Sequence, residues 1–453
     1  MSGHEPEGVQ MTAQPGVLQM QLEAFLAQHE ERLIALRRDL HMHPELGFAE
    51  HRTTKVVFDE LTAAGLRPVT LPKGTGLICD IGPADESTAG PTVALRADID
   101  ALPLVDEKDV PYHSTVAGVC HACGHDVHTA MLVGVGQFLA QQAADGLRLP
   151  GRVRLIFQPA EEVPGGALDV MAAGGIAGVD RIFALHCDPR IEVGQLGLRA
   201  GPITAACDKV YVNVTGPGGH TARPHLTADL VYALAKIVTE LPAALSRRVD
   251  PRSSLSLVWG RVSAGSVANA IPDDGVAEGT VRCLDDEAWH AAPDLMRALL
   301  ESVAGAYDVK ADLDYIRGVP PTVNEATSVQ MFRAAAADVL DAGAVVATQQ
   351  SLGGEDFGWY LESIPGALAR LGVAEPGQAA EYDLHRGTFD VDERCIAIGV
   401  SVMVATAVNA LTTLSARPDG PDGSGGAGGP GDADPHWNGG RPSSDAVEGA
   451  ALA

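Results

Sequence analysis

The chain is short of basic side chains. Its 453 residues include 32 Lys and Arg against 59 Asp and Glu, which gives a formal net charge of −27 at pH 7. Phosphate recognition needs clustered Lys and Arg, and a field this negative repels polyanions, so the deficit argues against nucleic-acid partners and anionic membrane surfaces. Because 46% of the residues are hydrophobic, the chain can still bury a sizeable core. The composition remains compatible with an enzyme that binds cations.

Cysteine is also scarce. The chain has seven cysteines, an odd number, and at this length it does not need disulfide cross-links. We therefore expect free thiols, a reducing cytoplasmic location, and cysteines that are available to bind metal. The first sixteen residues lack the basic and apolar segments of a secretory signal, so we expect none there.

Charge is missing altogether from residues 395–416, a run long enough to cross a bilayer. The run nevertheless contains several polar and small residues, and it follows Asp392 and Glu393, which suit a helix N-terminus. So polar a segment favours a buried C-terminal helix over a membrane span.

Apolar, β-rich runs alternate with helical stretches, which indicates an α/β fold. Between about 207 and 317 the predicted elements follow the order βαββαβ, which indicates a compact insert. The Gly- and Pro-rich end cannot bury enough apolar surface to become ordered. The predicted segments are a flexible leader (1–16), the first part of the main domain (17–206), the insert (207–317), the second part of the main domain (318–416) and a disordered tail (417–453).

The segment 120–128 reads Cys-His-Ala-Cys-Gly-His-Asp-Val-His. Such a concentration of Cys and His indicates a metal site or a nucleophilic cysteine rather than a loop with incidental histidines. A nucleophilic cysteine would need one base and not several histidines and acids, so a metal site is favoured.

Polar residues also follow three predicted strands, 91–98, 152–157 and 181–186. Glu161 and Glu162 repel each other unless cations are near, and one could bind metal while the other carries a proton. Taken alone, the pair would more often be two solvated glutamates. Asp98 and His186 close the other two strands. Because ligands in open α/β sheets bind beyond the carboxyl ends of strands, we expect these residues to converge.

Two further histidines stand in distinctive contexts. His220 lies at the tip of a glycine-rich turn, 216–225, which lacks the Lys of a phosphate-binding loop. A mobile element that presents His220 to a substrate fits better. His385, judged alone, would more often be a surface or internally bonded histidine.

Seven motifs stand in a characteristic order between about residues 30 and 415. They are RRDLHMHPELGF (37–48), ALRADIDALPL (94–104), HACGHDVHT (121–129), FQPAEE (157–162), LHCDP (185–189), GGHTARPH (218–225) and GGEDF (353–357). The chain resembles the two-metal amidohydrolases of the aminoacylase and carboxypeptidase type, and most of all the branch with hippurate hydrolases, auxin–amino-acid conjugate hydrolases and N-acetyl-diaminopimelate deacetylases. The resemblance implies a metal-binding α/β domain, with a mixed sheet flanked by helices, that is interrupted by a ferredoxin-like lid.

The resemblance also implies residue roles. Glu161 matches the general base, and His220 matches the lid histidine that helps to bind the scissile carbonyl. Asn269 and Arg282 resemble residues that hold the substrate carboxylate. Asp98 matches the His-x-Asp element of the family and would contact the ligands. Arg96 stands where many relatives carry a metal-binding histidine, and Cys123 and His125 would make up for that difference. Two divalent ions, Mn²⁺ or Zn²⁺, would be held by Cys123, His125, Glu162, His186 and His385.

The function expected on this basis is hydrolysis of the amide bond of a small N-acyl amino acid by a metal-activated water, with a glutamate as general base. A dipeptidase or carboxypeptidase with the same machinery is the close alternative. A catalytically silent metal-binding protein is disfavoured, because pure binding would need neither Glu161 nor His220. Relatives often dimerise through the lid, so a homodimer or a higher homo-oligomer is expected.

Overall fold

The computed structural model describes residues 15–83, 90–377 and 383–416. In chain order the helices are α1 (Pro15–Met42), α2 (His51–Ala63), α3 (His125–Ala144), α4 (Gly166–Ala172), α5 (Leu230–Leu245), α6 (Asp286–Gly305), α7 (Ala326–Val339), α8 (Gly358–Leu361) and α9 (Arg394–Ser415). The strands are β1 (Val69–Thr70), β2 (Leu77–Ile81), β3 (Thr92–Asp98), β4 (Arg152–Gln158), β5 (Arg181–Glu192), β6 (Leu196–Leu198), β7 (Gly201–Thr204), β8 (Ala206–Thr215), β9 (Gly219–His220), β10 (Ser256–Ala264), β11 (Ala270–Ile271), β12 (Asp274–Cys283), β13 (Lys310–Val319), β14 (Thr322–Asn324), β15 (Val345–Ala347) and β16 (Gly366–Ala374).

The larger sheet has eight strands in the order β1-β2-β4-β3-β5-β16-β6-β15. Its centre is parallel, because β3 pairs in parallel with β4 and β5, and β5 pairs in parallel with β16. Strands β2 and β6 run antiparallel to their neighbours β4 and β16, so the sheet is mixed. Central parallel strands are covered on both faces, which explains why every residue of β3 is buried.

Helices cover both faces of this sheet. On one face, apolar side chains of the central strands pack with α1, α2, α3, α7 and α9. On the other face, side chains such as Ile182 and Leu368 pack with α4 and with Phe357 and Tyr360 at α8. A mixed sheet flanked by helices is therefore confirmed as the fold class.

The smaller sheet, which we call the insert sheet, has four antiparallel strands in the order β10-β12-β8-β13. Residues of α5 and α6 pack on one of its faces, where Val210, Val212 and Val214 of β8 are buried. Along the chain its main elements follow the expected order βαββαβ. The predicted limits of the insert, 207 and 317, fall within β8 and β13.

The uncharged C-terminal run forms α9, which is long and apolar enough to cross a membrane, with a mean hydropathy of 2.0 in its most apolar window. Of that window, 72% is buried inside the protein, where α9 packs on α1, α3 and α7. It therefore has the packing of a core helix, as predicted.

Two features differ from the sequence-based expectations. Helix α1 includes Pro15 and Gly16, so these two residues of the predicted leader are helical. Strand β16, in the middle of the sheet, was not predicted. The rest of the leader and the predicted tail, 417–453, lie outside the described residues.

Asp208 ties three elements of the insert together. Its fully buried carboxylate accepts hydrogen bonds from Trp289 Nε1 of α6 at 2.7 Å, from the Tyr315 hydroxyl of β13 at 2.7 Å and from the Gly318 N–H at 2.8 Å. Burial raises the pKa of Asp208, although these donors oppose the shift.

We predict that Asp208→Ala destabilises the insert by about 2–4 kcal/mol, because it leaves three donors without an acceptor. Denaturant unfolding of the full chain, followed by tryptophan fluorescence and circular dichroism, measures the change. Asp314→Ala, at an exposed position of β13, is the control and should shift stability by less than about 0.5 kcal/mol. Equal effects of the two variants would contradict the assignment.

Candidate metal centre and active site

Chemically active side chains meet at the carboxyl ends of the central strands. Asp98 is the last residue of β3, Glu161 and Glu162 follow β4, and His186 lies in β5. His125 is the first residue of α3, and Cys123 precedes it by two positions. The predicted convergence at this edge of the sheet is what the structure shows.

Five donors form two overlapping groups. One ligand atom each of Cys123, His125 and His186 lie within 4.8 Å of one another, and so do atoms of Cys123, Glu162 and His385. Cys123 Sγ is 3.5 Å from His186 Nε2, and Glu162 Oε1 is 3.4 Å from His385 Nε2. All five residues predicted as ligands are thus brought together, with Cys123 common to both groups. Thiolate, imidazole and carboxylate donors suit divalent transition metals.

The hydrogen bonding around the donor atoms also suits the binding of a cation. His125 Nε2 and Glu162 Oε1 are buried without a hydrogen-bond partner among the described residues. The other nitrogen of His125 donates to the Asp100 carbonyl at 3.0 Å, and His186 Nδ1 donates to the Cys187 carbonyl at 2.8 Å. These bonds leave both Nε2 atoms for a metal, which is how ligating histidines are usually oriented. The residues therefore fit the group that the resemblance implies.

The backbone around the donors has unusual conformations. Gly124, between Cys123 and His125, has φ 85°, and a Cβ there would lie 2.8 Å from Cys187 Sγ. His385 has φ 60°, and its N–H donates to the Ala122 carbonyl at 2.8 Å. This hydrogen bond holds His385 beside the loop that contains Cys123.

Two buried acids hold the turn that carries Glu161 and Glu162. Glu50 Oε1 accepts the N–H of Ala160, which has φ 54°, at 2.7 Å, and Asp100 Oδ2 accepts the N–H of Glu162 at 3.0 Å. Burial, with Asp100 nearby, raises the pKa of Glu50 to about 8. Neither acid was identified as functional from the sequence. The only signal for Asp100 was its place after Asp98 in the Asp-Ile-Asp run.

Glu161 is buried beside the donor groups, where a ligand atom of its side chain lies within 4.8 Å of atoms from His125 and Glu162. Burial and the carboxylates of Glu355 and Glu162 raise the pKa of Glu161 well above its ordinary value. A carboxyl group with a raised pKa can both accept and deliver a proton near neutral pH.

Both oxygens of the Asp98 carboxylate accept hydrogen bonds from side chains of the protein. Its oxygens accept hydrogen bonds from His128 Nδ1 at 2.6 Å and from Arg96 Nη1 at 2.5 Å. The Cys187 N–H donates to His128 Nε2, so both nitrogens of His128 are occupied. Although burial opposes it, His125, Arg96 and His128 hold the pKa of Asp98 well below its ordinary value. Arg96 also binds Asp356 at 2.8 Å and Glu355 at 3.1 Å, and it therefore serves as a counter-cation.

The predicted residues of the insert lie apart from this cluster. His220, in β9, pairs with Ala270 of β11, and its exposed ring accepts the Ala222 N–H at Nδ1, 3.0 Å away. The Asn269 carbonyl accepts the Thr221 N–H at 3.4 Å. Arg282 of β12 donates to the Leu352 carbonyl at 2.8 Å, where the insert meets the main domain. Within the described ranges, His220 and Asn269 make no contact with the five donors.

Comparison with known proteins agrees with this geometry. Residues 94–409 match peptidase family M20/M25/M40. The chain is 39% identical over 369 residues to the N-acetyl-L-cysteine deacetylase of Bacillus subtilis, an alignment that covers 81% of this chain and 85% of that relative. It is 49% identical over 377 residues to a Rhodococcus jostii protein named as glutamate–cysteine ligase 2-3, but it spans only 46% of the length of that relative.

A solved structure is similar as well. The YxeP protein of Bacillus subtilis, described as a dinuclear metal-binding peptidase of the M20 family, superposes with a TM-score of 0.74 at 35% identity. The match covers 86% of this chain and 99% of that structure.

If Cys123 is common to both ion positions, its removal should lower metal binding. We expect Cys123→Ala to hold at most about one ion per chain where the wild type holds about two. Elemental analysis after loading with Zn²⁺ or Mn²⁺ and dialysis measures the content. Cys120→Ala, the same change at a buried thiol three positions away, should leave the content unchanged. Full occupancy in Cys123→Ala would refute the ligand role.

Proposed function

The chain belongs to peptidase family M20/M25/M40, and on that premise we propose that it hydrolyses the amide bond of an N-acyl amino acid. The observation that carries the proposal is the buried carboxyl group of Glu161 beside the two donor groups, which is placed to move a proton. A similar relative is named for deacetylating N-acetyl-L-cysteine, a small N-acyl amino acid.

We further propose that the donor set holds two divalent ions. Cys123, His125, Glu162, His186 and His385 would bind them; the thiolate and imidazoles favour Zn²⁺, while the resemblance also admits Mn²⁺. When bound, such ions supply Lewis-acid polarisation of a carbonyl and lower the pKa of a water. The description of the related YxeP structure as dinuclear supports this number.

Glu161 would act as the general base. It takes a proton from the attacking water and later delivers it to the amine that leaves, so one carboxyl group performs both transfers. Its neighbour Glu162 is instead directed at the cation position, where Oε1 has no hydrogen-bond partner among the described residues. The two adjacent glutamates would therefore have different roles, since Glu161 would transfer protons and Glu162 would bind metal.

His220 would stabilise the oxygen of the scissile carbonyl. Because its Nδ1 accepts the Ala222 N–H, the neutral ring carries its proton on Nε2, which is a donor. An approach of the insert to the main domain would bring that donor to the developing oxyanion. Asn269, which directly precedes the β11 strand that pairs with β9, and Arg282 would hold the substrate carboxylate.

The same machinery could cleave a peptide bond, so a dipeptidase or carboxypeptidase is the alternative. A panel of N-acetyl and N-benzoyl amino acids against dipeptides, with Mn²⁺ or Zn²⁺ added, separates the two. We propose a cytoplasmic location, since all seven cysteines are free and buried.

We also propose that the chain forms a homodimer through the insert. Strand β10 is an edge of the insert sheet, and it exposes Val258 and Val262, with 62% and 49% of their surfaces accessible. An exposed edge strand with apolar side chains is a template for pairing with a second copy.

Glu161→Gln tests the catalytic assignment. It should keep both ions yet lower kcat by roughly 100-fold or more, because an amide cannot accept the proton. Glu162→Gln is the matched variant, and it should lose metal as well as activity. Turnover of the best panel substrate and metal content are measured together. Near-wild-type turnover in Glu161→Gln would eliminate it as the base.

A Val258→Lys/Val262→Lys double variant tests the dimer. Its mass by light scattering should be about half that of the wild type at equal concentration, since two cations oppose edge-to-edge pairing. Val69→Lys, at a 68% exposed valine of β1 in the main domain, should leave the mass unchanged. A monomeric wild type, or a double variant that remains dimeric, would overturn the proposed interface.

A further inference from the structure

Three arginines of the main domain, Arg37, Arg96 and Arg370, have at most 5% of their surface exposed, and one of them differs from the others. A fourth, Arg181, has 6% exposed and is bound by Glu325. Arg37 is bound by Asp126, Asp390 and Glu393, and Arg96 is bound by Asp98, Glu355 and Asp356. Arg370, with 5% of its surface exposed, has a buried Nε without a hydrogen-bond partner and forms no ion pair with an acid among the described residues. A buried charge without a partner is strongly unfavourable, so this side chain requires an explanation.

The electrostatic surroundings show the same difference. Burial opposes the charge of all three guanidinium groups, but the bound acids overcome it and raise the pKa of Arg37 and Arg96. At Arg370 burial prevails and lowers the pKa, although Asp188 and Glu355 are near. Asp188 is already engaged by Arg190, at 2.9 and 2.8 Å. Among the described residues, no acid therefore pairs with Arg370.

Arg370 stands beside the donor groups. In β16 it is the register partner of His186 in the parallel neighbour β5, and paired residues of parallel strands project to the same face. Gly197 of β6 leaves room for its stem, because a Cβ there would lie 3.1 Å from Arg370 Cβ.

We infer that Arg370 binds a carboxylate of the substrate and so selects substrates that place an anion beside Cys123 and His186. Bound divalent ions would add positive charge here, which makes an anionic partner for the guanidinium still more necessary. A guanidinium matches a carboxylate with two parallel hydrogen bonds. The inference rests on the proposed function, since it takes an N-acyl amino acid as the occupant of the site.

Besides the α-carboxylate assigned to Asn269 and Arg282, a carboxylate could come from the amino-acid side chain or from the acyl group, and matched pairs distinguish the two. N-acetyl-L-glutamate against N-acetyl-L-glutamine tests the side chain, and N-succinyl-L-alanine against N-butanoyl-L-alanine tests the acyl group. The metal-loaded full chain is compared with Arg370→Met, which removes the charge at similar volume, and with Arg370→Lys. Arg333→Met, at an exposed arginine of α7, controls for the loss of one positive charge.

In one pair, the wild type should prefer the carboxylate member at least about tenfold in kcat/KM, and Arg370→Met should abolish that preference mainly through KM. Arg370→Lys should keep part of it, and Arg333→Met should keep all of it. The inference is overturned if Arg370→Met lowers both members of every pair equally, or if it reduces metal content, which would mark a structural role.

If the wild type cleaves no member of the panel, the proposed function fails while the inference is still tested. Calorimetric titration of succinate and acetate into the metal-loaded wild type and Arg370→Met then decides. Affinity that is at least about tenfold weaker in the variant supports the carboxylate site. Equal affinity, or no binding to either protein, rejects it.

Discussion

More negative charge is buried at the carboxyl ends of β3, β4 and β5 than the side chains there neutralise. Arg96 compensates one part of it, through Asp98, Glu355 and Asp356. Glu161 and Glu162 remain, and like charges this close in a poorly hydrated site are unfavourable unless cations are bound or a proton is retained. Binding of cations and retention of a proton by a glutamate would each reduce this excess of negative charge. The site therefore shows the same excess of acidic over basic side chains as the whole chain, and at the site this excess favours the binding of cations.

Main-chain geometry at the site depends in part on a further buried acid, Glu50. Ala160, Gly124 and His385 all have positive φ, and each lies at or beside a candidate donor or base. Such conformations persist only where surrounding contacts fix them. Glu50 fixes the first through the Ala160 N–H, and the Ala122 carbonyl fixes the third. Carboxylates therefore both form the site and hold the backbone that presents it.

Much of this could be predicted from the sequence, because strong patterns reflect strong physical constraints. Continuous apolar runs marked β3, β4 and β5, and the rule that sites lie beyond strand ends brought Asp98, Glu162 and His186 together before any coordinates. Contacts between distant residues could not be predicted, as with Arg96 and Asp356, which only the fold brings together. Arg370 could not be predicted because β16 carries no motif, and only the fold pairs it with His186 of β5. The ligand, base and substrate-binding roles themselves stay predictions.

The position of β16 has a consequence for biosynthesis. Strands β5 and β6 are consecutive in the chain, yet β16 lies between them in the sheet, and it is translated only after every strand of the insert sheet. The insert can therefore fold while the sheet of the main domain is still open at its centre. His385, the last donor in the chain, emerges later still. The main domain can therefore complete its central sheet only after almost all of its chain has left the ribosome, because the pairing of β5 with β16 joins residues far apart in sequence. The order of synthesis thus determines when the metal centre can form.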